Sequence, residues 1–511
     1  MRARRNKFRA IVLLIGLAAA LGQSVFRSGT RLVEVDVVVR DKNGPVTGLA
    51  KDDFALYDCK WSERDQYNGF EPCRVKLQPL EVFHEISSAV PPQISGGTAP
   101  AMILKPGAVS NRLSSDGSPA ASPTIVLIDL LNTPFNLKGY ERDQIVKFLK
   151  SIGDKDRVAL YSLGRKLHVL QDFTGDPKNL IQALAKLDIA EIGPPAESFD
   201  DPAFAVLENQ FFQDRKDAVT MDAMKTIIQH VAGVPGRKNL VWIAQGFNPK
   251  VRTLLGQANI AVYPVMTHFL TVPSTIGTDR LPSPHAMSDV LAEEANRKFG
   301  QSFGGSFFGD AEDALQAVRT AEEDSGNYYV LGFYPAEKDL DGKKHQLTLD
   351  VSKRVRARRD LAVQYRQEYL ASKSGSASPD DRPSIESLFA SPLNATSIGL
   401  AANIVADPAN PEASQIQIEV NLADLQLRRE DGRAVGSFQM TVRFEREVDG
   451  VLKATDPIIQ TVPVNFAAEK MQDYGLVTQP IPPGMKPSTA HIVVQDGSNG
   501  AAGSLRVPIP N

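Results

Sequence analysis

The apolar residues after position 120 follow two patterns that alternate along the chain. Thr124 to Asp129 is an aliphatic run that ends in one carboxylate, which is typical of a parallel strand buried on both faces. Similar runs end near residues 163, 244 and 265, and stretches with helical spacing separate them. This alternation predicts βαβ units and a mainly parallel sheet with helices on both faces. Tyr328 to Tyr334 is expected to be its last strand.

The two flanking regions alternate with a period of two instead. Val33, Val35, Val37 and Val39 are separated by polar or outward-facing positions, and the Asn43-Gly44 turn follows them; Asn-Gly is a strong hairpin signal. We therefore predict a small β-sandwich module over 30–88. Alternating strands and Asp-Gly turns over 385–511 predict an immunoglobulin-like or fibronectin-like sandwich.

Two segments rich in proline, glycine and serine divide the 511 residues. They cover 89–122 and 371–384, and their lack of periodicity indicates linkers. The predicted order is a signal peptide over 1–22, the β module, the first linker, an α/β domain over 123–370 with a C-terminal strand/helix extension, the second linker and the C-terminal sandwich.

The first residues indicate export. Arginines and a lysine precede the apolar run Ala10 to Leu21, and small residues near Gly22 suit signal peptidase. A retained N-terminal anchor is the alternative, because the run is short for a membrane span. No later stretch is long and apolar enough to span. The expected location is secreted, periplasmic or at the cell envelope.

The chain has two cysteines, Cys59 and Cys73. In an exported protein they predict one disulfide, which would contribute about 3 kcal/mol by the chain-entropy relation. A zinc site is the alternative, but neither a CxxC nor a histidine pair accompanies them.

Charge gives no general indication of a partner. The net charge is -3 and charged residues make up 23%, so we expect neither nucleic acid nor an anionic membrane as a partner. Arg354, Arg356 and Arg358 would share one face of a strand, either as an anion-binding patch or as a solvated edge beside Glu322 to Asp324. Trp242 and Tyr263 could line a groove, but their place within strands favours core packing.

Motifs for catalysis are absent from the sequence. No G-x-S-x-G, H-E-x-x-H, P-loop or G-x-G-x-x-G stands at a strand-to-helix junction, and the seven histidines have no characteristic spacing. We therefore expect a protein that is not an enzyme. A cell-envelope hydrolase whose residues converge from distant segments is the rival hypothesis.

Six segments carry a resemblance to a known family. They are Ile128-Asp129-Leu130-Leu131-Asn132-Thr133-Pro134-Phe135, Asp156 to Leu160, Leu170 to Thr174, Pro235 to Trp242, Ala258 to Val265, and Tyr328 to Pro335. They resemble the von Willebrand factor type A domain, especially the related proteins exported by bacteria such as acidobacteria. The β module over 30–88 is similar to the one that usually precedes this domain. The implied fold class is a von Willebrand factor A-like, Rossmann-like α/β domain flanked by two all-β sandwiches.

The resemblance also implies a metal-ion-dependent adhesion site. Family members hold Mg²⁺ through a D-x-S-x-S loop, a threonine and a further aspartate. Asp129 and Thr133 match the first loop and Asn132 offers an amide, but Leu131 replaces a serine. Ala244-Gln245-Gly246 stands where the further aspartate belongs, and Ile192 to Pro195 lacks the threonine. The implied site is degenerate.

The function implied by the resemblance is protein binding. We expect an exported adhesion or scaffold protein that binds an unidentified protein at the edge formed by Asp129, Thr133, Phe135 and Gln245. Metal-dependent adhesion through Asp129 and Thr133 is one alternative. Another interpretation of Asp129 is structural, since a carboxylate at a strand end can accept hydrogen bonds from backbone N–H groups.

Overall fold

The computed structural model describes residues 32–60, 75–87, 107–112, 122–132, 157–185, 202–234, 236–266, 284–309, 313–358, 360–371, 382–407, 410–448, 451–467, 474–482 and 486–510. The predicted signal peptide and Cys73 lie outside these residues. No helix within them is long and apolar enough to cross a membrane.

The strands, in chain order, are β1 Val33–Asp41, β2 Gly44–Pro45, β3 Phe54–Lys60, β4 Lys76–Gln78, β5 Val82–Ser87, β6 Val109–Ser110, β7 Thr124–Asp129, β8 Val158–Leu163, β9 Leu167–Thr174, β10 Lys238–Ala244, β11 Ile260–Met266, β12 Asn327–Phe333, β13 Lys344–Val351, β14 Ala362–Gln364, β15 Glu368–Leu370, β16 Leu400–Asp407, β17 Asn410–Asn421, β18 Arg428–Glu430, β19 Arg433–Val448, β20 Val451–Ala454, β21 Ile458–Ala467, β22 Tyr474–Pro480, β23 Thr489–Asp496 and β24 Ala502–Pro508. The helices are α1 Pro177–Ala185, α2 Pro202–Val231, α3 Arg252–Ala258, α4 Pro284–Ser302, α5 Ala314–Gly326, α6 Lys353–Arg356 and α7 Ile385–Ala390.

The central sheet has the strand order β11-β10-β7-β8-β9. Strands β7, β8, β10 and β11 are parallel, as predicted, and β9 is antiparallel to β8. Only residues 164–166 join β8 to β9. A connection this short permits a hairpin but no crossover, which explains the direction of β9.

Apolar residues of the central sheet alternate between two cores. Ile125 and Leu127 pack with Met224 and Ile227 of α2 on one face. Val126 and Ile128 belong to the core on the other face, which includes residues of α1 and α5 such as Leu180 and Val318. Every residue of β7 is buried. The prediction of an α/β domain with helices on both faces is therefore confirmed.

The sheets near the N-terminus combine distant segments of the chain. One has the order β14-β1-β12-β5 and the other β15-β13-β3-β4. We expected β12 to be the last strand of the central sheet, and this was wrong, because it pairs antiparallel with β1 and β5. Tyr329, Leu331 and Phe333 of β12 share a core with the valines of β1. Strands from 327–370 therefore complete the sheets that begin in 30–88.

The C-terminal region is built from two further sheets. Their orders are β22-β17-β16-β6 and β18-β19-β23-β24, with β20 and β21 also paired to β19. Residues such as Ile418, Phe438, Val442 and Ile492 form their shared core. Strand β6 comes from the predicted first linker and pairs with β16. The immunoglobulin-like or fibronectin-like assignment and the exact domain boundaries stay predictions.

The basic run beyond β13 does not form the strand that its spacing predicted. Lys353–Arg356 is a short helix, α6, and not a strand. Arg354 pairs with Asp53, Arg356 with Asp350 at 3.0 Å, and Arg358 with Asp41 at 3.1 Å. The partners are local or from the β1–β3 region, and the arginine side chains are exposed.

Charged residues connect the N-terminal sheets to the central domain. Arg40 of β1 pairs with Glu323 at 2.7 Å and with Asp324, which is fully buried on α5. The Tyr263 hydroxyl donates a hydrogen bond to Asp324 at 2.7 Å, and Arg237 donates one to Tyr263 at 3.3 Å. These contacts hold β1, α5 and the central strands together.

Candidate functional site

Strands β7 and β10 end side by side at the carboxyl edge of the central sheet. Ile128 is in register with Ile243, so Asp129 and Ala244 reach the same edge. Residues 245–248 beyond β10 are half-buried, whereas the strand itself is almost wholly buried. Open α/β sheets bind ligands outside the carboxyl ends of their strands, which makes this edge the candidate site.

The Asp129 carboxylate points into the protein and accepts hydrogen bonds from two directions. Asn132 donates its backbone N–H to Oδ1 at 2.9 Å and its side-chain amide to Oδ2 at 2.8 Å. The Trp242 indole N–H, from β10, donates to Oδ2 at 3.0 Å. Asp129 and Trp242 are both fully buried. The carboxylate therefore ties the turn after β7 to the neighbouring strand.

The turn after β7 is held by further contacts. The backbone N–H groups of Leu130 and Leu131 both donate to the Leu163 carbonyl of β8, at 2.9 and 3.0 Å. The Leu131 side chain packs into the core on the α2 side. The Asn132 amide also donates to the Thr220 hydroxyl of α2 at 3.4 Å. Leu131 thus packs in the core at the position where the von Willebrand factor type A domain, which the sequence resembles, has a metal-binding serine.

Burial raises the pKa of Asp129 above its usual value, although hydrogen bonds from Asn132, Trp242 and Leu131 oppose that rise. Removal of a carboxylate from water disfavours its charged form, and N–H donors partly compensate. The side chain is thus a buried group whose hydrogen-bonding capacity is used within the protein.

The described part of the edge does not fit the Mg²⁺ ion implied by the resemblance. Mg²⁺ needs six oxygen ligands in near-octahedral geometry, but both Asp129 oxygens accept hydrogen bonds from N–H groups and Leu131 supplies no oxygen. Thr133 lies outside the described residues. Within those residues, no group of three His, Cys, Asp or Glu side chains could hold a metal ion.

The other residues proposed for the edge fall into two groups. Gln245 lies at the edge and is half-buried, whereas Phe135 lies outside the described residues. Phe247 packs edge-on against Trp242 with ring centroids 5.2 Å apart. Trp242 and Tyr263 are fully buried. Core packing, the favoured interpretation of these two residues, is correct.

A second cluster of polar residues connects α2 to the C-terminal region. His230 Nε2 lies 3.0 Å from Asp172 Oδ1, and its Nδ1 lies 2.7 Å from the Asn394 carbonyl oxygen. The Tyr161 hydroxyl donates to the same Asp172 oxygen at 3.1 Å. Burial opposes a charged ring, but the Asp172 carboxylate and the Asn394 carbonyl raise the pKa of His230. Asp172 also accepts a hydrogen bond from the backbone N–H of Phe173 at 2.9 Å.

A third cluster pairs His345 with Asp58, whose Oδ1 lies 2.8 Å from Nδ1. The Tyr369 hydroxyl donates to the other Asp58 oxygen at 3.0 Å. In this cluster and in the His230 cluster, the tyrosine hydroxyl donates to the aspartate. The other ring nitrogen faces the Asn394 carbonyl oxygen in the His230 cluster and the Asp341 carboxylate in the His345 cluster. A hydrolytic triad instead needs its nucleophilic hydroxyl on the far nitrogen of the histidine. Neither cluster provides that arrangement.

Sequence reasoning did not find the partners of Asp129. Trp242 was considered for a groove or for the core and Asn132 for a metal site, and neither was expected to donate a hydrogen bond to Asp129. The usable signal was the parallel pairing of β7 with β10, which brings the indole to the end of β7. Trp242 and Asp129 are 113 residues apart in the sequence, so no local pattern reveals their contact.

Comparison with known proteins gives only distant similarity. No family model matches the chain, and no curated protein matches it. An aerotolerance-related membrane protein from Bacteroides fragilis is 12% identical, with 39% of this chain and 98% of that one covered, at a TM-score of 0.24. A von Willebrand factor type A structure from Catenulispora acidiphila is 9% identical over 79% of this chain and 73% of that one, at 0.22. The von Willebrand domain of a type V pili tip protein from Porphyromonas gingivalis is 14% identical over 32% and 61%, at 0.17. Scores this low carry no argument, so the α/β assignment rests on the strand order and on the two cores.

Proposed function

We propose that the chain is an exported, non-catalytic adhesion or scaffold protein whose α/β domain binds a protein ligand at the carboxyl edge of the central sheet. The proposal includes a von Willebrand factor A-type domain of the bacterial kind, with a degenerate metal site, and an envelope or extracellular location. The predicted signal peptide and the sequence resemblance motivate these parts.

One observation carries the proposal. The chain leaves the buried strands β7 and β10 at a shared edge, where residues 245–248 become half-buried. Asp129 is used to hold this edge in shape, since its oxygens are bound by Asn132 and Trp242. A rigid edge with an amide, Gln245, at its surface suits recognition of another protein without a bridging metal ion.

Site-specific photo-crosslinking tests the proposal. A photoreactive amino acid is placed at Gln245, and a control is placed at the exposed Lys453 of β20. After exposure to envelope extract, we expect a discrete protein adduct from position 245 that is absent from position 453. The Gln245→Arg substitution should reduce pull-down of the same protein. Equal adducts from both positions, or none from position 245, would contradict binding at this edge.

A further inference from the structure

A cavity of about 340 Å³ lies where three parts of the chain meet. Its walls come from the start of β1, from α2 and α3, from the chain around β15, and from residues 382–383, 397 and 499–502 of the C-terminal region. This volume lies in the range of small-ligand pockets, which often form between domains. Lys225 in its wall is five residues beyond Thr220, which is about 7.5 Å further along α2 at the rise of an α-helix. The cavity is therefore separate from the edge around Asp129.

Three cationic side chains line the cavity, and each comes from a different segment. They are Lys225 of α2, Arg366 before β15, and Arg382. No aspartate or glutamate is among the described lining residues. Three positive charges around a small, partly enclosed volume attract an anion more strongly than the same charges on an open surface, because less water screens them.

Arg366 is held in a fixed orientation. Its guanidinium donates hydrogen bonds to the backbone carbonyls of Glu34 and of Gly256, the latter at 3.3 Å. The Glu34 carboxylate also interacts electrostatically with Arg366, so part of this charge is balanced from β1. A guanidinium fixed by backbone carbonyls is already oriented, and a ligand would lose little side-chain entropy on binding it.

Arg382 has an unused hydrogen-bond donor. Its Nε is buried and has no acceptor among the described residues, and its terminal nitrogen reaches the Ser498 carbonyl at only 3.4 Å. The side chain packs against Gly500, where an added Cβ would lie 2.6 Å from Arg382 Cδ. Gly500 also has a φ of +75°, which favours glycine. Because the bond of the terminal nitrogen to Ser498 is long, the guanidinium of this lining residue can donate to an oxyanion in the cavity.

The remaining lining suits an organic ligand more than a bare inorganic ion. Ile228 and Leu254 supply apolar surface, and the amides of Gln229, Gln257 and Asn499 can donate or accept hydrogen bonds. We propose that this cavity binds a small organic oxyanion, namely a carboxylate or phosphate monoester attached to an apolar group. Two or three positive charges bind the oxyanion, and the apolar side chains contact the body of the ligand.

Isothermal titration calorimetry of the full chain tests this site. Benzoate and phenyl phosphate are the anionic probes, and benzyl alcohol is the neutral control of similar shape. We expect saturable binding of at least one anion and weaker binding of the alcohol. Binding of benzoate alone identifies a carboxylate site, and binding of phenyl phosphate alone identifies a phosphate site.

Substitutions locate the binding. Arg382→Gln should lower the affinity for the anion by about tenfold or more, as expected for loss of a charged hydrogen bond. Lys225→Gln should lower this affinity as well. The matched control is Arg429→Gln, at an exposed position in β18, which should leave binding unchanged. The thermal melting curve confirms that each variant is folded. If neither anion binds, if the alcohol binds equally well, or if the folded Arg382→Gln and Lys225→Gln proteins bind like the wild type, the proposal is wrong.

Discussion

Replacement of Asp129 by alanine tests whether this carboxylate has a structural role. The substitution removes the acceptor of the Trp242 indole N–H and of two N–H groups of Asn132. The indole is fully buried and cannot turn to water. Asn132 lies nearer the surface and can recover part of its hydrogen bonding there.

The expected cost follows from these contacts. A buried donor left without an acceptor costs about 1–3 kcal/mol, and hydrogen bonds to a charged acceptor contribute about 1.5–3 kcal/mol. Burial of the carboxylate opposes folding and offsets part of this sum, as the raised pKa of Asp129 indicates. We therefore expect Asp129→Ala to lower the local unfolding free energy of β7 and β10 by about 2–4 kcal/mol.

Hydrogen exchange followed by mass spectrometry measures this local free energy. It suits a chain with several cores, whose global unfolding is not a two-state process. A double-mutant cycle of Asp129→Ala with Trp242→Phe isolates the indole hydrogen bond, and we expect a coupling energy of about 1.5–3 kcal/mol. Exchange in β22, from the C-terminal region, is the internal control and should not change. Wild-type protection of β7 in Asp129→Ala, or a coupling energy near zero, would refute the structural role.

Two further predictions concern buried histidines. Asp172 and Asn394 raise the pKa of His230 against the effect of burial. The stability that His230 contributes is therefore complete below its pKa in the unfolded chain, near 6.5, and is lost as pH rises through its pKa in the folded protein. Melting temperatures measured from pH 6 upward should fall less steeply in His230→Gln. His491 has the opposite behaviour, since burial and the nearby Arg506 and Arg443 lower its pKa to about 3, so the folded protein loses stability as pH falls from the unfolded value near 6.5 toward the folded value. Among the described residues, neither ring nitrogen of His491 has a hydrogen-bond partner. We therefore expect His491→Leu to raise the melting temperature and to reduce its fall toward low pH; a lower melting temperature at every pH would contradict this.

The central sheet could be predicted because two-sided burial leaves a clear pattern in the sequence. Thr124 to Asp129 contains apolar residues that face both cores, and β8 and β11 are likewise buried along their whole length. The strand β12 has a similar apolar run, but such a run does not reveal which sheet it joins. Its pairing with β1 joins Val33 to Phe333, which are 300 residues apart in the sequence, and no local signal carries that information.

The short helix α6 shows a second limit of sequence patterns. Arginines at every second position suggested one face of a strand, but in the structure each arginine is placed by its own acidic partner. The candidate site shows the same limit. The position of Asp129 at the sheet edge could be predicted, whereas its orientation toward Trp242 depends on the packing of β7 beside β10.

The central claim is protein binding at this edge without a metal ion. Its most direct test is a pull-down from envelope extract in the presence of Mg²⁺ and, in parallel, of EDTA, with Gln245→Arg as the edge variant. We expect the same bound protein in both conditions and its loss in Gln245→Arg. Release of the bound protein by EDTA, together with a rise in the melting temperature on addition of Mg²⁺ that Asp129→Ala abolishes, would contradict the claim and establish metal-dependent adhesion instead.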